Sequence, residues 1–105
     1  MTTRILSLDE TMQVLRADRR RVLVDTIPPG HAADLDDLAS DIATTLDADE
    51  RTIRRYLRHT DAPLLERHGV VEYDVDEARL KALAPILECQ RTLHDIKHST
   101  QRGRN

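Results

Sequence analysis

The chain contains 105 residues, carries a net charge of −3, and has two Tyr but neither Phe nor Trp. This length predicts one domain with an aliphatic core, and the negative balance excludes a polycation, so any nucleic-acid-binding surface must be local. A single cysteine excludes an internal disulfide, and no stretch approaches the roughly 20 apolar residues of a membrane span or the layout of a signal peptide. We therefore expect a cytoplasmic protein without a membrane partner.

The first predicted element is a helix over residues 8–17. Ser7 and Glu10 stand three positions apart, which is the pattern of a capping box, in which each side chain bonds to the backbone N–H of the other residue. Apolar side chains then repeat at helical spacing, at Leu8, Met12 and Leu15. The two signals together predict where the helix begins and that it continues for several turns.

A second helix is predicted over residues 19–27, with Asp18 as its N-cap. Its first turn consists of three arginines, Arg19, Arg20 and Arg21. The side chains that we expect to face inward are Val22, Leu23 and Ile27. The Pro-Pro-Gly sequence at residues 28–30 ends the helix.

The third helix has the clearest signal in the sequence. Asp34 is a good N-cap, because its carboxylate can accept from the first free N–H groups of a helix. Apolar residues follow at the spacing i, i+3, i+4, i+7 and i+11, at Leu35, Leu38, Ala39, Ile42 and Leu46. Only residues 47–49 separate this helix from the next one, and a connection of that length is typical of a helix-turn-helix.

The fourth helix, predicted from residue 50, presents arginines on one side. At about 100° per residue, four arginines share a narrow arc, which we call the arginine arc: Arg51, Arg54, Arg55 and Arg58. The residues that fall opposite are Ile53, Leu57, Thr60 and Leu64. Leu65 breaks this phase, but Pro63 cannot donate a hydrogen bond to the carbonyl of His59, so we expect the helix to kink or restart there.

A β-hairpin is predicted after Gly69, which ends the helix. Residues 70–74 read as a strand, residues 74–77 have turn chemistry, and residues 78–83 alternate as the return strand. The competing interpretation starts a helix at Asp76, because the residues of the return strand are strong helix formers and none is β-branched.

The last predicted element is a helix over residues 84–98, with Pro85 in its first turn. Four side chains repeat at alternating steps of three and four residues, at Ile86, Cys89, Leu93 and Ile96. This stripe packs either on its own domain or on a second copy, and we predict the second arrangement, a homodimer. Residues 99–105 have no apolar anchor and are expected to form a disordered tail after a single domain of residues 1–98.

The order of the predicted elements, together with the run LRHTDAPLLERHGVVEYD at residues 57–74, resembles the winged helix-turn-helix domains of haloarchaeal proteins, which typically carry a stretch like LxHTHLPKLEEAGVVEYD. The residues 7–10 and the arginines at residues 19–21 also resemble that family, so the resemblance spans residues 7–83. Asp61 and Ala62 stand where the family tends to have His and Leu, and the wing lacks its usual Gly. The resemblance implies a mainly α fold with a small β-hairpin, an architecture shared with ArsR-like regulators, and a DNA-binding regulatory role.

The arginine arc is the main indication of function. A recognition helix needs cations for phosphates and bidentate donors for guanine, and the helix around residues 50–62 offers both. We therefore predict a homodimeric transcriptional regulator that binds double-stranded DNA. Its predicted contacts are Arg51, Arg54, Arg55, Arg58, His59 and Thr60 on the helix, with Arg79 and Lys81 on the wing.

An alternative from another class is a winged-helix module for protein–protein interaction without DNA binding. Asp47, Asp49 and Glu50 occupy the N-terminal end of the recognition helix, where base contacts usually form and where carboxylates repel phosphate. The arginines can also form a solvated helix face with no partner. The sequence leaves the operator, the effector and the direction of regulation open.

Other chemistry has little support in the sequence. No nucleophile or Gly-rich phosphate loop matches a known motif, so we expect neither enzymatic activity nor a cofactor. His94 and His98 lie four residues apart near Cys89, but no further metal ligand has a recognisable spacing, and we predict no metal site. Cys89 is expected to be a small core residue rather than a redox switch.

Overall fold

The structure is a computed structural model that describes residues 6–102, with side chains as far as residue 98. Within these residues the chain is mainly helical with a small three-stranded antiparallel sheet, as predicted for the fold class. The helices are α1 (Leu8–Val14), α2 (Asp18–Thr26), α3 (Leu35–Leu46), α4 (Glu50–Tyr56), α5 (Ala62–Arg67) and α6 (Ile86–Arg102), with a π-helical segment, Leu57–Asp61, between α4 and α5. The strands are β1 (Ala32–Asp34), β2 (Val71–Asp74) and β3 (Arg79–Ala82).

Helix α1 begins with the predicted capping box, but only one residue of its predicted apolar stripe is buried. The Ser7 Oγ atom accepts a hydrogen bond from the Glu10 N–H at 3.1 Å, and the Ser7 N–H donates to Glu10 Oε1 at 3.3 Å. Leu8 and Met12 are 71% and 50% exposed. Leu15, the third member of the predicted stripe and the C-cap of α1, is buried as expected, together with Thr11 and Val14. Both sets have helical spacing, so the choice of face depends on the elements that pack against the helix.

Helix α2 begins one position earlier than predicted, and Asp18 is its first residue rather than its cap. Ala17 is the N-cap and provides no side-chain hydrogen bond. The buried side chains of α2 and its C-cap are Arg20, Leu23, Val24 and Ile27. Val22, which was expected to face the core, is half-buried. The presence of an arginine among the buried residues makes this helix unusual.

The sheet has the order β1–β3–β2, and both pairs are antiparallel. The β2–β3 pair is the predicted hairpin, so the alternative helix starting at Asp76 is wrong. Val71, Leu80 and Ala82 are buried and anchor the hairpin in the core. Ala78, just before β3, has a φ of 53°, a left-handed conformation that glycine adopts at lower cost.

Strand β1 is missing from the sequence prediction. Its Ala-Ala-Asp sequence has low β-propensity, and its register with β3 places Ala33 opposite Leu80. The Gly30 N–H also donates to the Ala82 carbonyl at 2.8 Å, which begins the pairing just before the strand. The strand therefore depends on hydrogen-bonding partners that β3 offers rather than on its own sequence.

The connection between α3 and α4 spans residues 47–49, as predicted. Asp34 caps α3 by accepting hydrogen bonds from the N–H groups of Asp36 and Asp37, at 2.9 and 3.2 Å. The buried face of α3 consists of Leu35, Leu38, Ala39, Ile42 and Ala43. Asp49 caps α4, and the two helices pack directly against each other.

Helix α4, the π-helical segment and α5 form one continuous rod over residues 50–67, because the residues at each junction keep right-handed helical dihedrals. The break predicted at Pro63 takes the form of a π turn just before it, in which the Ala62 N–H bonds to the Leu57 carbonyl. A π turn holds one residue more than an α turn and shifts the phase of everything after it. This shift buries Leu65, which falls on the arginine side of an unbroken α-helix.

Helix α6 packs against α1 and α2 and closes the core. It continues past the predicted boundary at residue 98 to Arg102, and residues 103–105 of the predicted tail lie outside the described residues. Nowhere in residues 6–102 does a helix combine the length and the apolar character that crossing a membrane requires.

Candidate nucleic-acid interface

The predicted helix contacts lie together on the solvent side of α4 and the π-helical segment. The exposed side chains are Arg51, Arg55, Arg58, His59 and Thr60, and Arg54 is partly exposed. The arginine arc and His59 line a shallow depression of about 200 Å³. The opposite side of the rod buries Ile53 and Leu57 in the core, so the helix is oriented with the arc outward.

Asp49 fixes the N-terminal end of this surface. Its Oδ2 atom accepts hydrogen bonds from the Thr52 hydroxyl at 2.8 Å and from the Thr52 N–H at 2.9 Å. These bonds, with a smaller contribution from Arg51 and Arg55, hold the pKa of Asp49 below its usual value of 3.8. The cap is therefore ionised at neutral pH, and a negative charge stays beside the arginines.

Arg54 differs from the rest of the arc because two carboxylates hold it. Its Nη2 atom donates to Glu50 Oε2 at 2.9 Å, and its Nε atom lies 3.0 Å from Asp36 Oδ1 of α3. Among the residues that the structure describes, the Nε–H has no hydrogen-bond partner, so the contact with Asp36 is electrostatic. For the other three arginines of the arc, no ion pair is formed within the part of the chain that the structure describes.

The two cations predicted for the wing, Arg79 and Lys81, are exposed on β3 but lie among carboxylates. Arg79 is in register with Asp34 of β1 and Asp74 of β2, and Lys81 is in register with Glu72 of β2. Residues directly opposite on adjacent strands share a face of the sheet, where opposite charges attract each other. The β2–β3 hairpin therefore presents a charge-balanced face rather than a second basic patch.

Three of the four residues in the predicted dimerisation stripe lie in the core of a single chain. Ile86 and Cys89 are fully buried, Leu93 is 4% exposed, and Ile96 is 45% exposed. The stripe thus packs largely on its own domain, which is the first of the two arrangements that its spacing allows. Burial, assisted by the neighbouring Glu88, raises the pKa of the Cys89 thiol to about 11, which is typical of a core cysteine rather than a reactive one.

A second charged cluster, absent from the sequence prediction of the site, lies inside the protein. Asp61 is 0% exposed and accepts hydrogen bonds from two arginines of α2. Arg19 donates through Nε to Oδ2 at 2.8 Å and through Nη2 to Oδ1 at 3.2 Å. Arg20 donates through Nη1 to Oδ1 at 2.9 Å. We call Arg19, Arg20 and Asp61 the buried clamp.

The same turn of α2 also completes the end of α1. Arg20 donates through Nε to the Val14 carbonyl at 2.8 Å, and its Nη2 atom donates to the Gln13 carbonyl at 3.1 Å. Arg21 donates through Nη1 to the Leu15 carbonyl at 2.8 Å. The last carbonyls of a helix have no partner within it, and the guanidinium groups supply the missing donors here.

Arg19 also covers an aromatic ring at the end of α4. Its guanidinium carbon lies 4.1 Å from the centroid of the Tyr56 ring. Hydrogen bonding to Asp61 raises the pKa of Arg19, against the opposing effect of its partial burial. The guanidinium is therefore charged at neutral pH and contacts the rod on both sides of the π turn, at Tyr56 before it and at Asp61 at its end.

A signal for the buried clamp is present in the sequence. Asp61 follows Leu57 by four residues, which places a carboxylate at the edge of the buried side of the helix. A buried carboxylate needs a cationic or hydrogen-bonding partner, and the arginines of residues 19–21 are suited to that role. No local pattern joins the two segments, because Arg19 and Asp61 are 42 positions apart.

The remaining candidate chemistry is confined to helix α6. The imidazole rings of His94 and His98 lie with their centroids 4.1 Å apart. Among the residues that the structure describes, no group of three or more His, Cys, Asp or Glu side chains is placed to hold a metal ion.

The chain belongs to the family DUF7344, a domain of unknown function, whose family model matches residues 12–81. The matched residues contain both the arginine arc and the buried clamp, while α6 lies outside them. A comparison with curated proteins gives no match, and neither does a comparison with solved structures.

Proposed function

We propose that the protein is a winged helix-turn-helix transcriptional regulator that binds double-stranded DNA. The element order supports this assignment, because α2, β1, α3, the α4–α5 rod and the β2–β3 hairpin follow as helix, strand, helix, helix, strand, strand. The sheet order β1–β3–β2 places the hairpin beside the strand that precedes the helix pair. On this assignment α3 and the rod form the helix-turn-helix, the rod is the recognition helix and the hairpin is the wing.

The observation that carries the proposal is the exposed arginine arc on the second helix of the α3–α4 pair. Arg51, Arg55 and Arg58 are exposed, and His59 and Thr60 extend the same surface. Exposed arginines can contact phosphates, and their guanidinium groups also offer bidentate donors to guanine. Because the net charge of the chain is −3, attraction to phosphate has to come from a local surface of this kind.

The homodimer remains part of the proposal, because helix-turn-helix dimers bind two half-sites about one helical turn of DNA apart. Within the predicted stripe, Ile96 is the residue exposed enough to contact a second copy. Met12 of α1, which is 50% exposed, lines the same groove as Ile96 and extends the apolar surface. The predicted pairing surface is therefore smaller on α6 than the spacing of the sequence suggested.

Mobility-shift titration of the full chain against random genomic duplex fragments, repeated over a range of salt concentrations, tests the proposal. Phosphate contacts release counterions, so log affinity falls linearly with log salt, with a slope of about −0.9 per contact. Replacing Arg55 or Arg58 with Gln should therefore reduce the slope by about one unit each. Arg91→Gln removes the same charge from an exposed position on α6 and should leave the slope unchanged.

Absence of a shifted species for the wild-type protein at every salt concentration would rule out DNA binding. Equal losses of slope for Arg58→Gln and Arg91→Gln would show that charge is needed but that the arginine arc is not the contact surface.

A second candidate function, a winged-helix module that binds another protein, is favoured by the carboxylates around the arc. Asp36 and Glu50 hold Arg54, and Asp49 adds a negative charge at the start of the helix. Such a surface of mixed sign repels phosphate in part and can match a protein partner of mixed charge. A protein partner whose binding is lost in Arg58→Gln, combined with no DNA shift, would favour this function over the first.

A further inference from the structure

We infer that the buried clamp positions the arginine arc for DNA by holding the π turn of the recognition helix. The inference rests on the proposed DNA-binding function and assigns a role in binding to side chains that lie mostly out of contact with solvent. Exposure of the side chains is 19% for Arg19, 6% for Arg20 and 0% for Asp61. The clamp residues therefore act through the helix rather than by touching the duplex.

The π turn determines which side chains of α4 and of α5 face the core. The buried residues Ile53, Leu57, Asp61 and Leu65 follow one another at steps of four. Four residues of α-helix rotate about 40° past a full turn, so three such steps would carry Leu65 about 120° away from Ile53. The π turn between Leu57 and Ala62 holds one extra residue and removes most of that drift.

Half of the proposed helix contacts belong to the π-helical segment itself. Arg58, His59 and Thr60 all lie within Leu57–Asp61. If this segment relaxed to a regular α-helix while α5 stayed packed in the core, α4 would rotate by up to about 100° relative to the core. A regular helix also holds the four arginines on one side, but that side would then turn away from its outward position.

A π turn is rarely adopted because it is less favourable than regular α-helix, so other interactions have to stabilise it. Asp61, the last residue of the turn, accepts three charge-assisted hydrogen bonds, all from α2. Such bonds are stronger than neutral ones, and exclusion of water preserves their strength. Rotation of Asp61 would also leave the buried Arg20 guanidinium without its counter-ion, which disfavours the relaxed helix.

Arg19→Lys tests the inference, with Arg21→Lys as its matched control. Lysine keeps the charge of Arg19 but loses the planar fork that bridges both Asp61 oxygens and stacks on Tyr56. Arg21 lies in the same turn and donates to the Leu15 carbonyl of the α1 end rather than to Asp61. Neither substitution changes the net charge, so the overall attraction to DNA is equal in the two variants.

In mobility-shift titrations, Arg19→Lys should bind duplex fragments roughly tenfold more weakly than the wild type. Its slope of log affinity against log salt should also fall by about one unit. Arg21→Lys should keep the affinity and the slope of the wild type. A lower folded fraction would reduce the amount of active protein without changing the slope, so the slope separates positioning from loss of stability. A slope and affinity for Arg19→Lys equal to those of the wild type would overturn the inference.

Amide hydrogen exchange at Ala62 provides a readout that does not depend on DNA. This N–H closes the π turn on the Leu57 carbonyl, and it should exchange about tenfold faster in Arg19→Lys than in Arg21→Lys. In one outcome, the wild type fails to bind DNA while Ala62 still exchanges faster in Arg19→Lys than in Arg21→Lys. That result would reject the proposed function but would still show that the buried clamp stabilises the π turn. Unchanged exchange at Ala62 overturns the inference whatever the DNA result.

Discussion

Two groups of arginines in this protein have opposite environments. The arginines of residues 19–21 turn inward and donate to Asp61 and to the last carbonyls of α1. The arginine arc on the α4–α5 rod turns outward, and in the described residues only Arg54 among its members is held by carboxylates. Both groups stand out in the sequence as basic clusters, yet only the second has the exposure that a nucleic-acid surface requires.

The contrast between these two groups indicates that a cluster of arginines is available to a binding partner only when no internal carboxylate pairs with it. A charge inside the protein needs a fixed counter-ion, because leaving it unpaired is costly, whereas a surface pair gains little in water. Asp61 and Asp36 illustrate the two cases, with side chains 0% and 60% exposed and arginine nitrogens at 2.8 and 3.0 Å. The distances are nearly equal, so burial rather than distance distinguishes the two pairs.

The largest effect that we expect is a loss of stability when Asp61 is replaced with Asn. The substitution keeps the shape of the side chain but leaves two guanidinium groups of the buried clamp without a counter-ion. Removing one partner of a buried ion pair typically costs about 3–5 kcal/mol. Urea denaturation followed by circular dichroism measures this change as a lower transition midpoint.

Asp36→Asn is the matched control, because it also replaces an Asp that faces an arginine, but at the surface. Loss of the exposed pair with Arg54 should change the free energy of unfolding by less than about 1 kcal/mol. Equal costs for Asp61→Asn and Asp36→Asn would contradict the role of burial, since the inward pair would then contribute no more to stability than the outward one.

A smaller effect, on binding rather than stability, is expected from the same Asp36→Asn variant. It removes a carboxylate beside the arc and releases Arg54 from one of its two partners, so duplex affinity at low salt should rise roughly threefold to tenfold. Asp25→Asn makes the same change of net charge at an exposed position on α2, where Asp25 faces Lys97 at 3.4 Å. Mobility-shift titration measures the duplex affinity of both variants. An equal increase in affinity for the two would show a general effect of net charge rather than release of Arg54.

The smallest effect concerns the pH dependence of the outward surface, through Asp49. Hydrogen bonds from Thr52 lower the pKa of Asp49 in the folded protein, so the unfolded chain binds more protons between the two pKa values. The stability that this cap contributes is therefore fully present above the usual pKa of 3.8 and is lost as pH falls through the folded pKa.

An NMR titration of the Asp49 carboxyl should give a midpoint below 3.8, with the Thr52 amide shift following it. Asp49→Asn should keep the helix cap and abolish the Thr52 titration, because the amide side chain still accepts a hydrogen bond but does not ionise. A midpoint at or above 3.8 would contradict the geometry of the cap.

Where local signals existed, they predicted structure well. Four predicted features are each encoded by a few neighbouring residues, and all are present in the structure. They are the capping box at Ser7, the Asp34 cap, the turn at residues 47–49 and the β2–β3 hairpin. The prediction failed where the local pattern fitted two faces of a helix, and where an element carries no local signal of its own. Strand β1 exists because β3 pairs with it, and α1 buries Thr11 and Val14 rather than Leu8 because of what packs beside it.

The outward row of arginines follows from residue spacing alone, because a helix with Ile53 and Leu57 in the core must direct Arg51, Arg55 and Arg58 to solvent. Local chemistry also indicated that the helix changes phase near Pro63. The form of that change is a π turn that ends at the buried Asp61. Predicting it required knowledge of which distant side chains contact the turn. Tertiary packing brings residues 19–20 against position 61, and a long-range ion pair of this kind has no local pattern by which sequence reading can find it.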